Sequence, residues 1–258
     1  MIETVIYISA FLFGIVIGSF LNVCIFRIPK GEDLAKRRSH CMSCGYQLRW
    51  FDLIPLFSWI ILRGRCRKCH EKISIQYPII EALNGILYVV VFLVCGICVE
   101  SVIYCVAISA LLALSVIDFR TYIIPIGFNI FILVFGAVLL LYRLTVKGME
   151  IRSAVPYIIG MFAVSVPLGI LWFLSKGKAI GGGDVKLMGA AGLLVGWKLI
   201  IAALVLGCIL GSIIHITRMK ISKAGRVLAM GPYLAAGITI VILFGEKLLN
   251  WYTGLIGL

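Results

Sequence analysis

Eight uncharged, apolar runs divide this 258-residue chain, and they leave little room for any fold except a bundle of membrane-spanning helices. The runs are Thr4–Phe26, Ala82–Val99, Ser101–Ile117, Thr121–Tyr142, Ser153–Ser175, Leu187–Trp197, Leu199–Thr217 and Val227–Gly245. A crossing helix needs about 20 residues, with a range of about 17 to 25. Seven of the runs meet that length, and Leu187–Trp197, with 11 residues, does not. Only 14% of the residues are charged and 62% are hydrophobic. A soluble domain carries about 25% charged residues, so a soluble fold could not cover this much apolar surface. The first run is longer than the apolar part of a cleavable signal and follows Glu3 rather than a basic segment, so it is expected to be a retained helix.

Charge placement decides whether the short run crosses. Basic residues gather on the cytoplasmic side of membrane proteins. With eight crossings and the N-terminus outside, 19 of the 24 Lys and Arg fall inside and 5 outside. Without the short crossing, Arg218, Lys220, Lys223 and Arg226 would move outside. Eight helices are therefore expected, the sixth starting near Val185, with Gly189, Gly192 and Gly196 allowing close packing. The net charge of +13 has the same explanation, so nucleic acid is not an expected partner and membrane lipid is. The expected class is an all-α polytopic membrane protein. Residues 1–26 form the first helix, 27–80 a cytoplasmic loop domain, and 81–258 the remaining membrane core. Within the loop, the apolar patch Phe51–Leu62 is too short to span, and it lies at the interface or packs under the metal site.

That metal site is read from four cysteines. Cys41-Met-Ser-Cys44 and Cys66-Arg-Lys-Cys69 are two tight turns that each present two thiolates. Paired in this way they make a closed four-sulfur zinc site, structural rather than catalytic. Gly45 follows the first pair, where the backbone must turn sharply. His40 and His70 flank the pairs as solvated neighbours or as replacement ligands. Cys95 and Cys98 match the same spacing but lie in an apolar run without a second pair, so they are read as packing, as are Cys24, Cys105 and Cys208.

Between residues 101 and 149, and again between 151 and 245, one acidic residue occurs: Asp118 and Asp184 respectively. Both fall at cytoplasmic helix ends in this topology. Carboxylates at membrane depth are costly and point to function. Asp118 could instead pair with Arg120, and Asp184 could be a helix cap. Together they suit a dyad, because two close carboxylates share one proton and can act as acid and base. Gly181-Gly182-Gly183 precedes Asp184 and lets an extended backbone approach. Gly181 and Gly183 are therefore candidate substrate-binding residues. Lys186 either reaches the membrane surface or contacts substrate.

Several stretches in order resemble the type IV prepilin peptidases, a bifunctional family of leader peptidases and N-methyltransferases. They are Gly18–Pro29, the two cysteine pairs with Leu62–Cys66 and Ile73–Glu81, Asp118 with Ile124-Pro125, Gly181–Leu187, and Gly231–Gly237. Ile126 stands where the family motif often carries an acid. The resemblance implies that Asp118 and Asp184 are the catalytic pair of a Gly-x-Gly-Asp membrane aspartyl protease. It implies prepilin or pseudopilin substrates, cut to release a short basic leader, and N-methylation of the new terminus with S-adenosylmethionine as donor. It also implies location in the cytoplasmic membrane. Asn22 and Arg27 match the pattern with no role evident from sequence. The competing readings are a membrane aspartyl protease without methylation or with another substrate, a cation or proton transporter, and a zinc-stabilised scaffold. Against a transporter, both aspartates sit at one face and no repeat is visible.

Overall fold

The computed structural model describes residues 2–34, 38–222 and 228–256. Lys36, Arg37, Lys223 and Arg226 of the charge count lie outside the described residues. Among the described residues every regular element is helical, apart from two isolated bridges, His40–Gln47 and Arg65–Lys72. The helices are α1 (Ile2–Arg27), α2 (Phe57–Ile61), α3 (Gln76–Cys95), α4 (Val99–Thr121), α5 (Ile126–Thr145), α6 (Val155–Ala163), α7 (Ser165–Leu174), α8 (Gly182–Val195), α9 (Trp197–Ser222) and α10 (Gly231–Ile256).

Among the described residues, seven stretches are long and apolar enough to cross a membrane: Ile2–Lys30, Gln76–Cys95, Val99–Thr121, Ile126–Thr145, Ile151–Leu174, Trp197–Ile221 and Gly231–Gly254. The short run becomes α8, 14 residues long, which is about 21 Å at 1.5 Å per residue. Charges do not end the helices where the runs end. The second run begins at Gln76 rather than Ala82 and takes Glu81 inside it, and α4 takes Glu100 into its first turn. The fifth run is broken at Val164 into α6 and α7. Pro167 explains the break: its ring has no N–H and crowds the carbonyl four residues back, at Ala163.

The chain forms two compact units, residues 1–101 and 102–258. In the first, α1 packs along α3 at two glycines. A Cβ on Gly14 would lie 2.6 Å from the Cα of Gly85, and one on Gly18 would lie 2.7 Å from the Cα of Glu81. Asn84 is fully buried and its Nδ2 donates to the Gly14 carbonyl at 2.7 Å. Asn22 gains a role here. Its Nδ2 donates to the carbonyls of Gly18 (3.3 Å) and Tyr77 (3.2 Å), tying the end of α1 to the start of α3. Arg27 donates to the carbonyls of Asp33 and Leu34 and folds the chain back as α1 ends.

In the second unit α8 is the central element, packed by α5, α6, α7, α9 and α10. Its small residues make this possible. Gly192 meets Gly160 of α6 backbone to backbone, and Gly189 faces Ser165, where a Cβ would come within 3.3 Å. Gly196 ends α8 at φ +87, a conformation favouring glycine. A Gly192→Val variant places side-chain atoms on the Gly160 backbone. It is expected to lose about 3 kcal/mol or more, read as a lower melting temperature in detergent. An unchanged Tm would refute this packing.

Candidate active site and metal centre

Asp118 lies in the last turn of α4 and Asp184 in the first turn of α8. They are 5% and 8% exposed. Both line one cleft of about 160 Å³, together with Tyr122, Ile123, Ile124 and Gly181–Gly183. The structure thus brings together the two aspartates and the two predicted substrate-binding glycines. Lys186 is exposed and is not among the cleft residues.

Each carboxylate is held differently. Oδ2 of Asp118 accepts the N–H of Gly231 at 2.9 Å. Gly231 is the first residue of α10, so this donor is one that the helix leaves unsatisfied at its positive end. A Cβ at Gly231 would lie 2.7 Å from that same oxygen, so the close approach requires glycine. Asp184 is not the cap of its helix. That position is Gly181, whose carbonyl accepts the Asp184 N–H at 3.1 Å. The Asp184 Oδ1 is buried with no hydrogen-bond partner. A buried carboxylate oxygen left unpaired costs stability, and such groups gather where chemistry needs them.

The glycines are set by the walls of the cleft. A Cβ on Gly181 would lie 2.9 Å from Oδ2 of Asp184, and one on Gly183 would lie 2.9 Å from the Cβ of Ile124. The opposite wall is the segment between α4 and α5. It leaves α4 at Tyr122, a non-glycine residue with φ +56, and Pro125 opens α5. Asn129 of α5 is 4% exposed and its Nδ2 reaches the Gly183 carbonyl at 3.4 Å. Neither the Gly231 donor nor Asn129 could be placed from sequence. Gly231-Pro232 stood out only as a motif, and Asn129 only as a polar residue in an apolar run.

The four cysteines come together as their spacing predicts, in a cluster that could hold a metal ion. Their Sγ atoms all lie within 4.8 Å of one another, with Cys41–Cys69 at 3.8 Å and Cys44–Cys66 at 4.0 Å. Tetrahedral zinc with Zn–S bonds of about 2.3 Å needs S–S edges of about 3.8 Å, so the donor set fits zinc. The two turns are built alike. The Cys41 N–H donates to the Tyr46 carbonyl and the Cys66 N–H to the Glu71 carbonyl, both at 2.8 Å. Gly45 at φ +68 and His70 at φ +58 occupy the same left-handed position. His70 therefore serves the turn and is outside the four-sulfur cluster, as is His40.

Asp52, which interrupts the apolar patch Phe51–Leu62, holds the second knuckle. It accepts Arg67 Nε at 2.8 Å, the Arg49 N–H at 3.2 Å and the Tyr46 hydroxyl at 3.2 Å. Burial alone would raise its pKa, but Arg67 and the other donors outweigh it and hold the carboxyl below its ordinary value. Its contribution is therefore present above pH about 4 and lost as pH falls through the lowered value. Arg67 is half-exposed, so Asp52→Asn is expected to cost only about 1–2 kcal/mol. It should speed zinc loss to a chelator at neutral pH, and an unchanged loss rate would contradict the role.

Residues 12–95 match the bacterial peptidase A24 N-terminal domain, and residues 105–216 match the type IV leader peptidase family. Relatives named prepilin leader peptidase/N-methyltransferase align over most of the chain. The Aeromonas salmonicida protein is 32% identical, over 94% of this chain and 92% of its own length. This chain belongs to the type IV leader peptidase family. The Bacillus subtilis relative is 28% identical over 94% of this chain and 96% of its length. The Myxococcus xanthus relative is 32% identical over 80% of this chain, which spans 61% of that relative's length. No solved structure matches the chain. Asp118 and Asp184 lie within the matched residues 105–216, and the four cysteines within 12–95.

Proposed function

We propose that this membrane protein removes the leader peptide from prepilins or pseudopilins by aspartyl-protease chemistry and N-methylates the new terminus. The relatives' shared name supports the reaction. The observation that carries the residue assignment is that Asp118 and Asp184, both buried, line one cleft with the glycine run. At any moment one carboxylate is charged and one protonated. The charged member takes a proton from water while the protonated member hydrogen-bonds the scissile carbonyl. The pair titrates as a unit, so neither role belongs to a named residue. Gly231 holds Asp118 in place. Gly181 and Gly183 leave the backbone bare for an extended substrate, and Lys186 sits outside the cleft, toward headgroups or the flanking substrate chain.

In this reading residues 27–80 face the cytoplasm with the zinc held by Cys41, Cys44, Cys66 and Cys69, and the N-terminus lies outside. Residues 1–26 and 81–258 lie in the cytoplasmic membrane. The zinc clips a loop that has little core and takes no part in the chemistry. S-adenosylmethionine would supply the methyl group. The described residues contain no strand and hence no βαβ nucleotide pocket, so no residue is assigned to the donor. The test is the mass of the product's N-terminus after purified protein meets a prepilin and S-adenosylmethionine. A cleaved, methylated product is expected. Failure to cleave any of several prepilins would contradict the reading, and a cleaved but unmethylated product would remove its second half.

A further inference from the structure

We propose that the exposed apolar strip Trp50, Leu53, Phe57, Ile60 and Ile61 is a membrane anchor that inserts the zinc loop into the surface of an anionic phospholipid bilayer. The inference rests on the membrane reading of the chain and is independent of its peptidase activity.

The segment that carries the strip has two faces. One packs beneath the metal centre. Phe51 lies under the Arg67 guanidinium at 4.8 Å, Asp52 accepts Arg67, and Trp59 covers Gly64 while its Nε1 donates to the Ile73 carbonyl at 3.4 Å. The other face is bare: Trp50 is 77% exposed, Ile60 63% and Ile61 74%. Contiguous exposed apolar side chains mark an interaction surface.

A single hydrogen bond sets the depth of this face. The Leu56 N–H donates to Oε2 of Glu81 at 2.8 Å. Leu56 is the centre of a γ-turn, with φ +62 and the Phe57 N–H bonded to the Pro55 carbonyl at 2.7 Å. Such a turn is strained and persists only when its surroundings fix it. Glu81 lies in the second turn of α3, a helix of 20 residues. That length is about 30 Å, the thickness of the hydrocarbon core, so the start of α3 marks its edge. Helical side chains lean toward the N-terminus, so the Glu81 carboxylate reaches back to that edge. The Leu56 turn therefore sits at the hydrocarbon boundary, and α2 begins at the next residue. On α3 itself Ile79, Leu83 and Ile86 are exposed, so they give a lipid-facing reference for the strip.

Charge selects the occupant. Residues 27–80 hold eleven Lys and Arg against four Asp and Glu. Arg49, Arg63 and Arg65 flank the strip and are exposed. A tryptophan and aliphatic side chains at the boundary, rimmed by arginines, suit acyl chains below and anionic headgroups around them.

The test uses the full chain in nanodiscs of phosphatidylglycerol containing a lipid with a photoreactive group near the end of its acyl chain. Labelling is mapped by peptide mass. Residues 50–61 are expected to label at a level close to residues 79–86. Labelling should fall severalfold in phosphatidylcholine discs and in an Ile60→Asp/Ile61→Asp variant. Zinc content shows whether the variant loop is folded, and Trp50→Ser gives a second, milder test. Labelling of 50–61 no greater than that of the peptide holding Met42 would overturn the proposal. Equal labelling in phosphatidylcholine would overturn the choice of anionic lipid.

Discussion

Asp184→Asn is expected to lower kcat for leader cleavage by about 10⁴-fold while leaving the protein as stable as before, or more so. Asparagine keeps the shape of the side chain but can neither carry the charge nor pass the proton. Apart from its partner Asp118, no acidic residue lines the cleft to replace it. The stability half follows from Asp184 Oδ1, which is buried without a partner. Exchanging a carboxylate with one unpartnered oxygen for a neutral amide removes a desolvation cost, of about 1 kcal/mol or more. For a structural aspartate the order would be reversed, with a lower Tm and activity lost only through unfolding. A variant that both melts earlier and keeps measurable cleavage would therefore sink the assignment. Asp118→Asn differs in one respect. Its Oδ2 accepts the Gly231 N–H, so that variant should lose activity equally and also lose some stability.

The second large effect is on the metal centre. Cys66 is 4% exposed and lies 4.0 Å from Cys44, inside the four-sulfur cluster. Cys66→Ser removes one thiolate from a closed site whose binding energy is also folding energy, about 10–16 kcal/mol for comparable zinc peptides. Bound zinc should fall from one per chain to well below it, and residues 38–75 should become sensitive to protease. α1 and α3 pack at Gly14–Gly85 and Gly18–Glu81 without the metal, so they should remain folded. Zinc retained at one per chain would show that three thiolates suffice and that the closed four-sulfur reading is wrong.

What could be read from the sequence was what depends on spacing alone. Two Cys-x-x-Cys pairs fix a four-sulfur site because each turn positions its own thiolates. Two solitary acids in long apolar runs stand out because the membrane makes them costly. The short run was visible as an anomaly in length and became the central helix α8. The readings that needed revision came from treating charge as a boundary. Glu81 falls just before the second apolar run, yet it lies inside α3 because a buried carboxylate that accepts a backbone N–H is tolerated there. The break at Val164 lay in plain view at Pro167, but hydropathy does not register a missing N–H. The donor at Gly231 and the support from Asn129 depend on helices far apart in the chain meeting, which no local pattern encodes. The apolar patch Phe51–Leu62 left two readings open, and the structure gives it two faces. Phe51 and Asp52 pack under the metal site, while Phe57, Ile60 and Ile61 face outward.

The most direct test of the central claim, that Asp118 and Asp184 work as one unit, is a double-variant comparison of kcat/KM on one prepilin. Wild type, Asp118→Asn, Asp184→Asn and the double variant are measured together, each checked for folding by its Tm. Groups that act as a unit are strongly non-additive, so the double variant is predicted to be no slower than either single one. Losses that multiply, or substantial cleavage by either single variant, would contradict the account.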